Sequence, residues 1–187
     1  MKIHMLLLLL TGLALSPLAE ASEFNRILTD RSTVSFVYKQ MGVPMAGRLQ
    51  KFAAQLSFDP DQLSTAKAVF DMDLTSIDAG SDEANAEISN KDWFNTPTFS
   101  QAKFVSTDIK TLAGNRYEVR GKMTIKGKTQ NVTANFTCTT QHNTAVFDGR
   151  FTLDRADFAI GEGAWADFGV IANEVLIQFH FLAEAGK

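Results

Sequence analysis

The sequence predicts an all-β domain, a single antiparallel sheet closed into a barrel or packed as a sandwich. Roughly eight stretches alternate apolar and polar residues with the period of two that belongs to a half-buried strand. Helical spacing is confined to one short stretch. The longest alternation, Tyr117 to Cys138, reads as a hairpin with one apolar and one charged face, and that apolar face needs other strands to cover it. Closing the sheet removes the edges that an open one would expose.

Before the domain comes a secretory leader. Lys2 supplies a positive charge, Leu6 to Leu10 begin an apolar run, and Ala19-Glu20-Ala21 offers a small-residue cleavage site before Ser22. The run is cut by Ser16 and Pro17, too soon for a membrane span. The expectation is that residues 1–21 are removed on export and that residues 22–187 form one domain.

The elements follow in order. Val34, Phe36 and Tyr38 alternate with polar residues as a first strand. Gly42, Pro44 and Gly47 punctuate the next segment, after which Leu49, Leu56 and Phe58 continue an apolar register to the Asp59-Pro60-Asp61 turn. Ala68, Phe70, Met72 and Leu74 make the inward face of another strand. From Ser81 to Phe94 the period changes: Ser81 is a helix-capping candidate, acids follow, and Ala84, Ile88 and Trp93 fall near one helical face before Pro97. This one short helix is expected to cap an end of the barrel and to gate passage into it.

Strands then resume with Ala102 and Phe104. The hairpin places Tyr117, Val119, Gly121, Met123 and Ile125 inward, turns at Gly127, and returns through Val132, Ala134, Phe136 and Cys138. Phe147, Phe151 and Leu153, and later Val175, Ile177, Phe179 and Phe181, complete the inward faces. Between the last two strands lies a Gly-rich loop carrying Trp165 and Phe168.

A net charge of −3 leaves no electrostatic footprint for nucleic acid or anionic membrane. Cys138, the single cysteine, has no intramolecular disulfide partner and sits on the dry face as a packing residue. Asn131 and Asn135 match the glycosylation pattern but read as strand residues. His142 and His180 stand apart, without a Cys or carboxylate at metal-ligand spacing, so no metal site is expected. No nucleophile elbow or phosphate loop occurs. Only Glu87, Glu162 and Asp167 offer acid–base groups near a pocket mouth, and the chain is read as a non-enzyme that needs no cofactor.

Taken together, Ser32-x-Val34-x-Phe36, Gly47-x-Leu49-x-x-Phe52, Phe58-Asp59-Pro60, Thr75-Ser76-Ile77-Asp78 and Asp92-Trp93-Phe94-Asn95 form an ordered series. It continues through Phe104-x-Ser106, the hairpin from Tyr117 to Gly127, Arg155-x-Asp157-Phe158-x-Ile160-Gly161 and Glu174-Val175. In this series the chain resembles the YceI-like family of periplasmic polyisoprenoid-binding proteins over nearly all of residues 22–187. The resemblance implies an elongated lipocalin-like barrel of about eight strands, whose interior holds an isoprenoid chain or the tail of a quinone. On that reading the wall of the tunnel is made by Phe36, Tyr38, Phe70, Met72 and Leu74, then Phe104, Met123, Ile125, Phe151, Leu153, Ile177 and Phe179. Ile88, Trp93 and Trp165 join them from the helical segment and the late loop. No charged side chain is expected in register with the tunnel.

The chain departs from the family where members commonly carry an Arg-Asp pair and a His; here stand Ala84, Asn85 and Glu87. A common Tyr-Pro pair is replaced by Phe99-Ser100. Those positions bear on the head group more than on the tail, and Glu162, Trp165 and Asp167 are the candidates to take over part of their role. The expected activity is periplasmic carriage or sequestration of an isoprenoid lipid or quinone, with transient contact to a membrane quinone-handling protein. The competing expectation is a secreted barrel with a filled core that acts through its surface as an interaction or stress-protective module.

Overall fold

Two residues decide the shape of the sheet. The structure, a computed structural model, describes residues 23–186, and the expected leader and its cleavage site lie outside them. Eleven strands form one antiparallel sheet. They are β1 (Phe24–Ile27), β2 (Thr33–Gln40), β3 (Val43–Leu49), β4 (Phe52–Ser57), β5 (Lys67–Asp73) and β6 (Ile77–Asp78), followed by β7 (Gln101–Ala113), β8 (Arg116–Ile125), β9 (Lys128–Gln141), β10 (Thr144–Asp154) and β11 (Glu174–Ala185). The strand order is β4-β5-β7-β8-β9-β10-β11-β2-β3-β6, with β1 paired to β11. β4 begins this path and β3 is its last strand but one, yet only Gln50 and Lys51 separate them in the chain. The sheet therefore curls until its ends meet. At one end β1 finishes the closure: Phe24 and Phe58 exchange backbone hydrogen bonds of 2.9 and 3.1 Å.

A single curled sheet excludes the sandwich. The count of eleven strands corrects the expected eight or so, and the three missed strands share a physical reason. β1 buries only Phe24 fully, so it shows no alternation. β3 is largely exposed and carries Pro44 and Gly47, both poor strand formers. Pro44 is tolerated there because β3 pairs fully only with β2 and its other side meets just the two residues of β6. β6 is too short to show any period.

The hairpin is as its alternation required. β8 and β9 pair from Arg116↔Thr137 to Ile125↔Lys128. Lys126 and Gly127 turn it with φ of 49° and 72°, the pair of positive values that a two-residue hairpin turn matching strand twist demands. Tyr117, Val119, Met123, Ile125, Ala134, Phe136 and Cys138 are all buried.

One short helix, α1 (Asp82–Ile88), interrupts the strands, and the Ser81 hydroxyl accepts a hydrogen bond from the Ala84 amide at 3.2 Å as its cap. The helix ends at Ile88, so Trp93 is not on its face. A tight turn places Trp93 instead, held by Trp93 N→Asn90 O and Phe94 N→Ile88 O bonds of 3.0 Å each.

Burial pushes the Cys138 thiol up to about 11 and keeps it protonated, hence non-nucleophilic, at neutral pH. Folded protein is expected to react with a thiol reagent orders of magnitude more slowly than denatured protein, and raising the pH from 7 to 9 should leave that contrast in place. Equal rates in the two states would show that the β9 register is wrong.

Candidate functional site

The interior is packed toward one end and hollow toward the other, and the cavity runs down onto the packed rings of Phe58, Phe136 and Phe147. At the packed end Phe58, only 1% exposed, stands edge-on to Tyr117 and Phe147, with ring centroids 5.3 and 5.1 Å apart. Ile109, Val119, Phe136, Cys138, Phe181 and Ala183 close around this cluster. Toward the other end Leu74, Trp93, Met123 and Ile125 are buried, but Phe36, Tyr38, Phe70, Met72, Phe104, Phe151 and Ile177 are only half-buried although they point into the barrel. They face a cavity of about 670 Å³.

Glycines keep that end open. Gly47 and Gly149 lie directly opposite Phe36 and Phe179 on the neighbouring strands, and Gly121 lies diagonal to Phe104. A Cβ at any of the three would collide with the ring of its phenylalanine. Each ring thus lies flat over a glycine instead of standing into the lumen.

Every wall residue expected from the sequence lines this cavity. β2 contributes Phe36 and Tyr38; β5 and the turn after it contribute Phe70, Met72 and Leu74; β7 contributes Phe104. β8 adds Met123 and Ile125, β10 adds Phe151 and Leu153, and β11 adds Ile177 and Phe179, with Ile88, Trp93 and Trp165 at the mouth. Burial raises the pKa of the Tyr38 phenol, which therefore remains a neutral hydrogen-bonding group on an apolar wall.

Charge was not expected along the wall, and none comes from a strand. Three charged side chains reach it at the mouth: Glu83 and Glu87 from α1, and Arg155 from the one-turn helix Arg155–Phe158. Arg155, 2% exposed, organises the loop between β10 and β11. Its Nε donates to the Ala172 carbonyl at 3.1 Å, its Nη1 to Ile160 and Gly161 at 2.8 Å each, and its Nη2 to Trp165 and Ile171 at 2.7 and 2.8 Å. All five guanidinium N–H groups are used. The guanidinium also stacks 5.8 Å from the Trp93 ring and 5.2 Å from that of Phe168. Gly161 sits against it with φ of 75°, and a Cβ there would strike Nη1. The sequence reading placed Arg155 only within a motif; the available signal was a cation at the head of a loop rich in buried apolar residues, where many carbonyls need donors.

Trp165 Nε1 donates to Glu87 Oε1 at 2.8 Å, tying this loop to α1. Trp165 and Trp93 pack with centroids 5.6 Å apart, and Trp93 Nε1 is buried without an acceptor. Glu162 and Asp167, expected beside a head group, do not line the cavity. Glu162 pairs with Lys126 Nζ at 2.9 Å, and Asp167 accepts from the Gly169 amide at 2.8 Å, because the loop turns both outward. Exposed Met41, Val43 and Met45 come from the β2–β3 tip and exposed Phe168 from the late loop, and of the four Met45 lines the cavity. A backbone bond from Met41 N to Val170 O at 2.8 Å joins the β2–β3 tip to the late loop.

A family model described as the YceI-like domain matches residues 26–183. Among solved structures, Burkholderia cenocepacia BcnA is 41% identical with a TM-score of 0.81, over 84% of this chain and 99% of that one. A polyisoprenoid binding domain from Saccharophagus degradans, implicated in plant cell wall breakdown, shares the fold at 17% identity and a TM-score of 0.65, over 89% of this chain and 99% of its own. A UPF0312 protein of Vibrio cholerae is 27% identical over 105 residues, 56% of either chain, so the chain spans about half the length of the curated relatives it matches.

Two substitutions test this geometry. Arg155→Ala leaves five carbonyls without that donor, and at the three buried ones, Ile160, Gly161 and Ile171, each loss is a penalty of about 1–3 kcal/mol before water and relaxation compensate. A loss of about 3 kcal/mol or more is expected in denaturant unfolding, with Arg155→Lys, which has three donors, falling between. Gly149→Ala should cost about 1–3 kcal/mol by overpacking against Phe179, and an unchanged midpoint would refute the flat-ring packing.

Proposed function

The chain belongs to the YceI-like domain family, and from that premise we propose that its barrel carries or sequesters a long amphiphilic isoprenoid, a polyisoprenoid or a quinone, in the periplasm. The observation that carries the reading is the apolar cavity in a barrel whose other end is tightly packed. An apolar cavity of about 670 Å³ leaves its lining side chains without contact partners on one side, a cost that grows with the volume left empty. Water is a poor occupant, since the wall offers few polar partners. An apolar chain recovers the contacts and gains about 25 cal/mol per Å² of its own surface removed from water.

The cavity weighs against the filled-core alternative. The shared fold of the Saccharophagus degradans polyisoprenoid binding domain supports an isoprenoid as occupant. The periplasmic setting rests on the leader read in residues 1–21. A binder fits the chemistry better than an enzyme: Glu87 is engaged by Trp165, and Glu162 and Asp167 lie off the cavity. The exposed apolar side chains of Met41, Val43, Met45 and Phe168 favour hand-over at an apolar surface, such as a membrane quinone-handling protein.

Denaturant unfolding of delipidated and lipid-loaded protein tests the reading. Added isoprenoid or quinone should raise the wild-type midpoint as RT ln(1 + [L]/Kd). Phe151→Ala should cost the delipidated form well under the about 3–5 kcal/mol of a filled core, and should cut the lipid-dependent gain. A wild-type midpoint indifferent to lipid would end the carrier reading.

A further inference from the structure

The polar groups at the mouth have a one-sided charge. Tyr38 and Gln40 reach the wall from β2, and Ser81, Glu83 and Glu87 reach it from the start and body of α1. Among the described residues Arg155 is the one cationic side chain along the wall, and its five N–H groups are already donated to backbone carbonyls. It has none left for a phosphate, and a bidentate clamp on one would require breaking the loop it holds. Glu87 already accepts from Trp165 Nε1 at 2.8 Å and from Asn90 Nδ2 at 3.2 Å, which fixes its carboxylate at the opening. The Glu83 carboxyl is held below its ordinary range by its own backbone amide and the Ser81 hydroxyl, so it is ionised at neutral pH. Beside them Trp93 Nε1, on a side chain 9% exposed, is a buried donor without an acceptor. A head-group oxygen, charged or not, would supply that acceptor; the two carboxylates decide which kind can approach.

We propose that the mouth selects against anionic head groups, so that the cavity takes an isoprenoid ending in an uncharged hydroxyl or carbonyl and rejects the corresponding polyprenyl phosphate. This rests on the lipid-binding reading above and adds the chemistry of the polar end. The physical basis is like-charge repulsion: Glu83 is exposed and Glu87 half-buried beside the cavity, so the repulsion acts through solvent and is strongest at low ionic strength. Selection of this kind acts by penalising the wrong partner and needs no special attraction to the right one.

The test compares geranylgeraniol with geranylgeranyl monophosphate, which share one tail, on delipidated protein. The readout is intrinsic tryptophan emission, because the chain has two tryptophans and Trp93 and Trp165 both line the mouth. Thermal midpoints with each ligand give an independent measure. At low salt the alcohol should bind at least tenfold more tightly than the phosphate, and added salt should narrow the gap. In Glu83→Gln/Glu87→Gln, where an amide oxygen still accepts from Trp165, the ratio should fall several-fold. Equal or tighter binding of the phosphate, or a ratio untouched by the double substitution, overturns the head-group inference and leaves lipid binding intact. Binding of neither probe overturns both.

Discussion

The constraint on which everything else depends is the two-residue link between β3 and β4. Gln50 and Lys51 join the first and the ninth strand of a ten-strand path, so the sheet cannot lie flat. Curling converts the apolar face of every strand into an interior, and strand number sets how wide that interior is. Nothing in the local preferences of residues 50 and 51 requires this. It follows from pairing each strand with its neighbour until β2 brings β3 back beside the start.

Given an interior, two different devices decide what fills it. At the β1 end, large aromatic rings interlock edge-to-face and form the floor of the cavity. At the α1 end, the wall is finished by a loop whose sheet pairing among the described residues is one isolated bridge, Gln40 to Ile171. Arg155 replaces the missing ladder there by serving five carbonyls at once. A buried arginine without a carboxylate partner is tolerable because the carbonyl dipoles, together with the Trp93 and Phe168 faces, supply the negative potential. The loop is thereby fixed as a collar, while the seven-residue α1 opposite it is too short to be stable alone and depends on its packing and on the Glu87–Trp165 bond.

Strand periodicity was legible wherever one face is dry and the other wet, which is why β8, β9, β10 and β11 and nearly the whole cavity wall could be read from alternation alone. β1, β3 and β6 were not legible, because their pairing is set by closure and not by an apolar face. The site divides along the same line. Wall residues such as Phe151 and Ile177 declare themselves by register, whereas the mouth is built from loop contacts between residues far apart in sequence. Trp165 meets Glu87 across 78 positions. Glu162 and Asp167 looked equivalent to Glu87 in composition, and only the path of the backbone around Arg155 turns them outward. Hollowness itself was hidden, since Phe36, Phe104 and Phe179 would have the same pattern in a filled core.

What separates the two cases is written on the neighbouring strands, at Gly47, Gly121 and Gly149. Because each ring lies down over a glycine, the calibre of the barrel is encoded by residues that an occupant would never touch. A single methyl at one of them would tip an aromatic ring into the lumen and shorten or narrow the bore, with the lining sequence unchanged. Two proteins with identical walls could therefore accept chains of different length and branching. For this architecture, ligand range is a property of the second layer of residues as much as of the first, and aligning the wall alone would miss it.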